Sequence, residues 1–116
     1  MFKCYLRAGP FDGNLVVPSD IQFCAPGSVV QTKNSGKYYW QTRPIDISSF
    51  NAEQELCYIV GLGSNIRSKC GYGFILDVVV VKLIEPESGS GLYLSPEINE
   101  QLGKGKMGLD YDLVSR

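Results

Sequence analysis

Apolar and polar residues alternate from the start of the chain. In FKCYLRA, residues 2–8, Phe2, Cys4, Leu6 and Ala8 interleave with Lys3, Tyr5 and Arg7. A period of two belongs to a half-buried strand, one face on a core and the other in water. GPFDGN, 9–14, is turn-rich, with Asp12-Gly13 as its hairpin signal. LVVP and IQFCAP predict short strands ended by Pro18 and Pro26, because proline cannot donate to a ladder. SVVQTK, 28–33, and KYYWQTR, 37–43, flank Asn34-Ser35-Gly36 and predict a hairpin.

The second half reads less uniformly. DISSFNAEQELCYIV, 46–60, offers Ser48 or Ser49 as a helix cap, but Leu56 to Val60 is rich in branched and aromatic side chains. The pattern therefore predicts a helical turn at 49–54 and a strand at 55–61. GFILDVVVVKLIE, 73–85, is nearly all apolar and predicts a central strand, or a long strand through the core, in which Asp77 is paired, hydrogen-bonded or near the end of the buried part. SPEINEQLG, 95–103, carries helix signals in order: Ser95 as cap, Pro96 at the first position, Glu97 in the first turn and Gly103 at the stop. Leu109, Tyr111 and Leu113 then alternate as in an edge strand. Together these elements predict one domain over residues 1–116. Its fold class is mainly β, α+β with minor helix: a small antiparallel open barrel or sandwich with one or two short helices.

Composition supports a globular chain: 116 residues, 44% hydrophobic and 20% charged. The formal net charge of −1 gives no global attraction to nucleic acid, so nucleic acid is the disfavoured partner. Lys3 and Arg7 interrupt the stretch where a signal peptide would be apolar, and no run is long enough to span a bilayer as a helix. The expected location is cytoplasmic, with no membrane partner. Cys4, Cys24, Cys57 and Cys70 show no paired-knuckle spacing, and the sequence contains no histidine, so no metal is expected. The cysteines read as reduced and mostly buried, with two disulfides as the alternative.

GLGSNIRSK, 61–69, is the first candidate for chemistry. Ser64, Asn65, Arg67 and Lys69 are all able to hold an anion. The dinucleotide fingerprint fails because Ile66 stands at its third glycine, and the P-loop pattern is missing. The segment reads as a glycine-rich connection between two apolar strands. Residues 58–66, YIVGLGSNI, resemble the opening of hydroxymethylpterin pyrophosphokinases, where a strand runs into a Gly-Ser-Asn turn. The likeness spans only that segment. In that family a paired-aspartate metal motif follows, and this chain lacks it, so no residue role is carried over.

The second candidate is KYYWQTR. Tyr38 and Trp40 share one strand face and Tyr39 the other, beside Arg43. Tyrosine, tryptophan and arginine are the usual anchors of protein interfaces, and aromatic strands also stack single-stranded bases. Asp110 and Asp112 add an acidic patch able to steer a basic partner. Lys104 and Lys106 sit in GKGKMG. Without histidine no Ser-His or Cys-His pair exists. That leaves Glu53 with Glu55, Glu97 with Glu100, or the thiols Cys57 and Cys70, none in a recognisable motif. The expectation is a small protein-binding domain of inhibitor, immunity or antagonist type, with no cofactor. It would use Tyr38, Tyr39, Trp40, Arg43, Asp110 and Asp112. The alternatives are a binder of single-stranded nucleic acid or a phosphorylated ligand, and an enzyme using carboxylates or Cys70.

Overall fold

Strand β1, Phe2–Phe11, lies in the middle of one sheet and organises the rest of the molecule. The computed structural model describes residues 2–11, 21, 27–31, 36–47, 52–84 and 93–115. The further elements are β2 (Gly27–Gln31), β3 (Tyr38–Thr42), β4 (Ile45–Ile47), helix α1 (Ala52–Cys70), β5 (Leu76–Ile84), helix α2 (Pro96–Lys104) and β6 (Met107–Ser115). The six strands form a single open sheet in the order β2-β3-β1-β5-β6, with β4 also on β1. This is a small α+β fold.

The predicted alternation in β1 holds. Cys4, Leu6 and Ala8 are fully buried and stand beside Val80, Val78 and Leu76 of β5. Ala8 also stands beside Trp40 of β3. This face carries the core, closed by Leu56, Ile59, Val60 and Ile66 of α1 and by Ile98 of α2. The β2–β3 hairpin is present, pairing Gly27 with Thr42 through Gln31 with Tyr38. LVVP, most of IQFCAP and Ser48 or Ser49 as a cap lie outside the described residues; Ile21 is helical, not strand, and buried in the core, and of the 9–14 turn residues 9–11 instead complete β1 while 12–14 lie outside the described residues.

Two irregularities shape the β1 edge. Between Ala8 and Phe11 the register slips, Gly9 adopting φ 127° and donating its N–H to the Ile75 carbonyl at 2.9 Å. A side chain would strain that backbone, which explains the glycine. The slip returns Phe11 to the core side, 6.2 Å from the Phe74 ring. On the other side, between the Arg7–Gln41 and Cys4–Ile45 pairs, Tyr5 and Leu6 face Thr42, Arg43 and Pro44. Proline cannot donate there. Thr42 fills the gap by accepting the Leu6 N–H on its Oγ1 at 3.0 Å.

The segment from 55 to 71 corrects the reading from sequence. Up to Cys70 it is neither strand nor loop, because α1 runs unbroken from Ala52 to Cys70. Its buried residues, Leu56, Ile59, Val60, Gly63, Ile66 and Arg67, recur at three- and four-residue steps and form one helical stripe. Burial of that stripe outweighs the strand preference of Ile59 and Val60. Each interior glycine weakens a helix by about 1 kcal/mol. Gly63 has a packing reason, since a Cβ there would overlap the Met107 sulfur unless that side chain moved. Glu53 and Glu55 in the first turn and Arg67 and Lys69 in the last suit the helix dipole.

Three smaller differences follow. The sheet is mixed, because β6 runs parallel to β5, joined to it by the crossover through α2. It forms one layer under two helices, so the core lies between sheet and helices. Helix α2 continues past Gly103 to Lys104, with Gly105 closing its end. Its start is as expected: Ser95 Oγ accepts the Ile98 N–H at 3.3 Å, and Pro96 follows. Among the described residues no helix is long and apolar enough to cross a membrane.

Candidate functional site

The side of the sheet turned away from the helices carries Lys3, Tyr5 and Arg7 from β1, Asp77, Val79 and Val81 from β5, and Gly108, Asp110, Asp112 and Val114 from β6. These residues alternate with the core ones, so strand geometry sets them on one side of the sheet, where Val79 is itself buried and Val81 half-buried. Arg7 is its centre. Its Nη2 contacts Asp77 Oδ2 at 3.3 Å and Asp110 Oδ2 at 3.1 Å, and its guanidinium lies 5.5 Å from the centre of the Tyr39 ring. A row Tyr39–Arg7–Asp77–Asp110 thus crosses four strands.

Electrostatics favour the charged form of Arg7. Burial lowers the Arg7 pKa, but hydrogen bonds to Asp110 and Asp77 and their charges outweigh it, leaving it above the usual value. Burial also raises the Tyr5 hydroxyl. Arg7 opposes that shift, while Asp110 and Asp112 add to it. Gly108 makes room for the cluster, since a Cβ there would overlap the Asp77 carboxylate. A partner is one of the alternatives the sequence offers for Asp77, but it does not name Arg7 as that partner. The signal was the polar phase of 2–8, which places Arg7 on the face that Asp77 must share.

The expected interface residues divide between the two sides. Tyr39, Asp110 and the exposed Asp112 belong to the open face. Trp40 is fully buried in the core, and Tyr38 packs half-buried against it. Arg43 is exposed where β3 gives way to β4. There Gly27, Ser28, Gln41, Thr42, Arg43 and Pro44 line an open cleft of about 520 Å3. Trp40 Nε1, buried without a hydrogen-bond partner, belongs to the neighbouring core.

The four anion candidates are set on different sides of α1. Asn65 and Lys69 are exposed, Ser64 is half-buried and Arg67 is buried. Arg67 is engaged with the backbone. Its Nε donates to the Gly105 carbonyl at 2.7 Å, Nη1 to Phe74 at 2.7 Å and Gly71 at 3.2 Å, and Nη2 to Lys106 at 3.1 Å. The Tyr72 and Phe74 rings flank it at 5.1 and 5.0 Å. Burial lowers its pKa, with the Tyr72 and Asp77 charges opposing. The arrangement ties the ends of both helices together, a cation at the negative end of each dipole.

The remaining chemistry-bearing groups are dispersed. Lys104 pairs with Glu100 at 3.0 Å on α2, and Lys106 Nζ sits 5.7 Å from the Tyr72 ring centre. Glu53 and Glu55 begin α1, and Glu97 begins α2. Cys57 and Cys70 are half-buried on α1, and Cys4 is a buried thiol whose pKa burial pushes up from 9.0 to about 12. Cys24 lies outside the described residues. Among the described residues no three Cys, Asp or Glu side chains come together as a metal site requires. Of these features, the polar open face is the most organised.

No family model, curated protein or solved structure matches the chain.

Proposed function

We propose that this chain is a cytoplasmic protein-binding domain of inhibitor, immunity or antagonist type, which covers a partner's surface with the open face of its sheet. The supporting observation is the Tyr39–Arg7–Asp77–Asp110 row, whose side chains already hold one another before any partner arrives. Side chains fixed in advance lose less entropy on association. Tyrosine and arginine are also the residues that most often carry interface energy. The area is of the right order: three strands about 30 Å long and two five-residue strands about 17 Å long, spaced about 4.8 Å apart, give a face of about 600 Å2. Each partner in a standard interface buries about 800 Å2. Asp110 and Asp112 at the β6 side favour a partner with basic groups there.

The test is affinity capture from the source cells with three forms of the chain. Wild type should recover a protein in stoichiometric amount. Tyr39→Ser combined with Asp112→Lys should cut recovery at least tenfold, while Tyr58→Ser on the exposed side of α1 should leave it unchanged. Equal recovery by all three forms, or recovery of nucleic acid in place of protein, refutes the reading.

A further inference from the structure

The cleft where β3 gives way to β4 is built from rigid parts. Strand β2 begins with Gly27 opposite Thr42, so Arg43 and Pro44 follow the last pair of that ladder. With Gly27, Ser28, Gln41 and Thr42 they line the open hollow of about 520 Å3. Hollows of about 300–1,000 Å3 are the usual size of small-molecule sites. Its wall is bare at Gly27 for a reason, since a Cβ there would overlap the fully buried Trp40 ring. The Thr42 hydroxyl is held by the Leu6 N–H that it accepts, and the Pro44 ring fixes its own backbone angle. Parts fixed in advance lose less entropy when something enters.

The polar groups of the cleft are unengaged. Arg7 is tied to two aspartates, and Arg67 to four carbonyls. Arg43 is exposed and has neither ion pair nor side-chain hydrogen bond among the described residues. Ser28 and Gln41 stand opposite each other in the β2–β3 ladder, and their side chains are likewise without partners there. Both can donate and accept.

Charge selects the ligand. Arg43 is the one charged side chain among the described lining residues, so the cleft balances a single negative charge. A phosphate dianion would keep a charge uncompensated. A carboxylate would not, and its two oxygens match the planar guanidinium fork. We propose that this cleft binds a small organic monocarboxylate, with the carboxylate on Arg43 and a neighbouring amide or hydroxyl of the ligand on Gln41 and Ser28. Pro44 supplies apolar surface beside them. The site uses no residue of the Tyr39–Arg7–Asp77–Asp110 row, so it goes beyond the protein-binding reading and is tested without it.

The experiment is an NMR titration of the full chain, nitrogen-labelled, with hippurate, which joins a carboxylate, an amide and an aromatic ring. Trp40 is the only tryptophan and stands directly behind Gly27, so its indole N–H gives a single reporting resonance. That resonance and the Gly27, Ser28 and Thr42 amides should shift saturably, with a dissociation constant of about 1 mM or below. Hippuramide, the neutral counterpart, and inorganic phosphate should each bind at least tenfold more weakly. Arg43→Gln should weaken hippurate at least tenfold with the urea midpoint unchanged, and Lys69→Gln, on the exposed side of α1, should leave binding as it was. Absence of saturable shifts, binding of hippuramide or phosphate as tight as that of hippurate, indifference to Arg43→Gln, or an equal loss in Lys69→Gln overturns the proposal.

Discussion

Replacing Arg67 with methionine tests whether its guanidinium is a fastener of the fold or a group held ready for a ligand. The change keeps an apolar stem and removes every donor. Four carbonyls lose their partner: Gly71, Phe74, Gly105 and Lys106. A hydrogen bond to a charged group contributes about 1.5–3 kcal/mol net. The two bonds at 2.7 Å, to Gly105 and Phe74, therefore set a scale of about 3–6 kcal/mol. Desolvation of the buried cation offsets part of it. The expected loss for Arg67→Met is about 3–4 kcal/mol, a large share of the roughly 5–15 kcal/mol that holds a typical domain together. With a urea slope of about 2 kcal/mol/M, the midpoint should fall by about 1.5–2 M in equilibrium unfolding. Arg67→Lys keeps the charge but loses the planar fork and should fall between, at about 2 kcal/mol. Lys69→Met, exposed one residue beyond Ser68 in the same turn, should stay within about 0.5 kcal/mol. If Arg67→Met shifts the midpoint no more than Lys69→Met, the carbonyl contacts contribute nothing. The guanidinium would then be available to an anion, as the sequence of 61–69 suggests.

Two further outcomes follow from the core and the open face. The Cys4 thiol ionises near 9.0 when unfolded but only near pH 12 when folded, so its stabilising contribution is complete below pH 9 and is lost as pH rises towards 12; relative to Cys4→Ala, wild type should lose about 1.4 kcal/mol between pH 8 and pH 10 in urea unfolding, and an identical slope in the two would refute the burial argument. Gly108→Ala, which strand preference alone would favour, should lower stability by about 1–2 kcal/mol because the new methyl displaces Asp77 from Arg7; thermal unfolding in an Asp77→Ala background should show no such loss.

Strands were legible wherever one phase of the alternation was apolar and the other polar. Phe2 to Ala8 and the hairpin around Asn34-Ser35-Gly36 announce themselves through local rules that burial then reinforces. The α2 cap was legible because Ser95 and Pro96 act on their own neighbours. Helix α1 was hidden for the opposite reason. Ile59 and Val60 prefer strands and two glycines resemble a turn, so the evidence for a helix lay in the wider spacing of Leu56, Ile59, Val60, Gly63, Ile66 and Arg67. Gly63 looked like a turn former, but its reason is Met107, far along the chain. The open face was half legible. Tyr39, Asp110 and Asp112 could be named from their types, while Trp40 went to the core because its strand phase matches Ala8. The joining of Arg7 to Asp77 and Asp110 depends on three strands meeting, which no local pattern encodes.

The place of β1 in the sheet has a consequence for biosynthesis. The ribosome releases this strand before any of its neighbours, yet it ends between β3 and β5. Once residue 47 has emerged, β1 can join β2, β3 and β4, with Leu6, Ala8 and Trp40 uncovered on one side. Residue 84 of β5 follows about 2–7 s later at ordinary rates of translation. Throughout that interval the nascent half-sheet offers chaperones both a naked apolar surface and an open backbone margin, and the earliest strand of the sheet waits longest for its final neighbour.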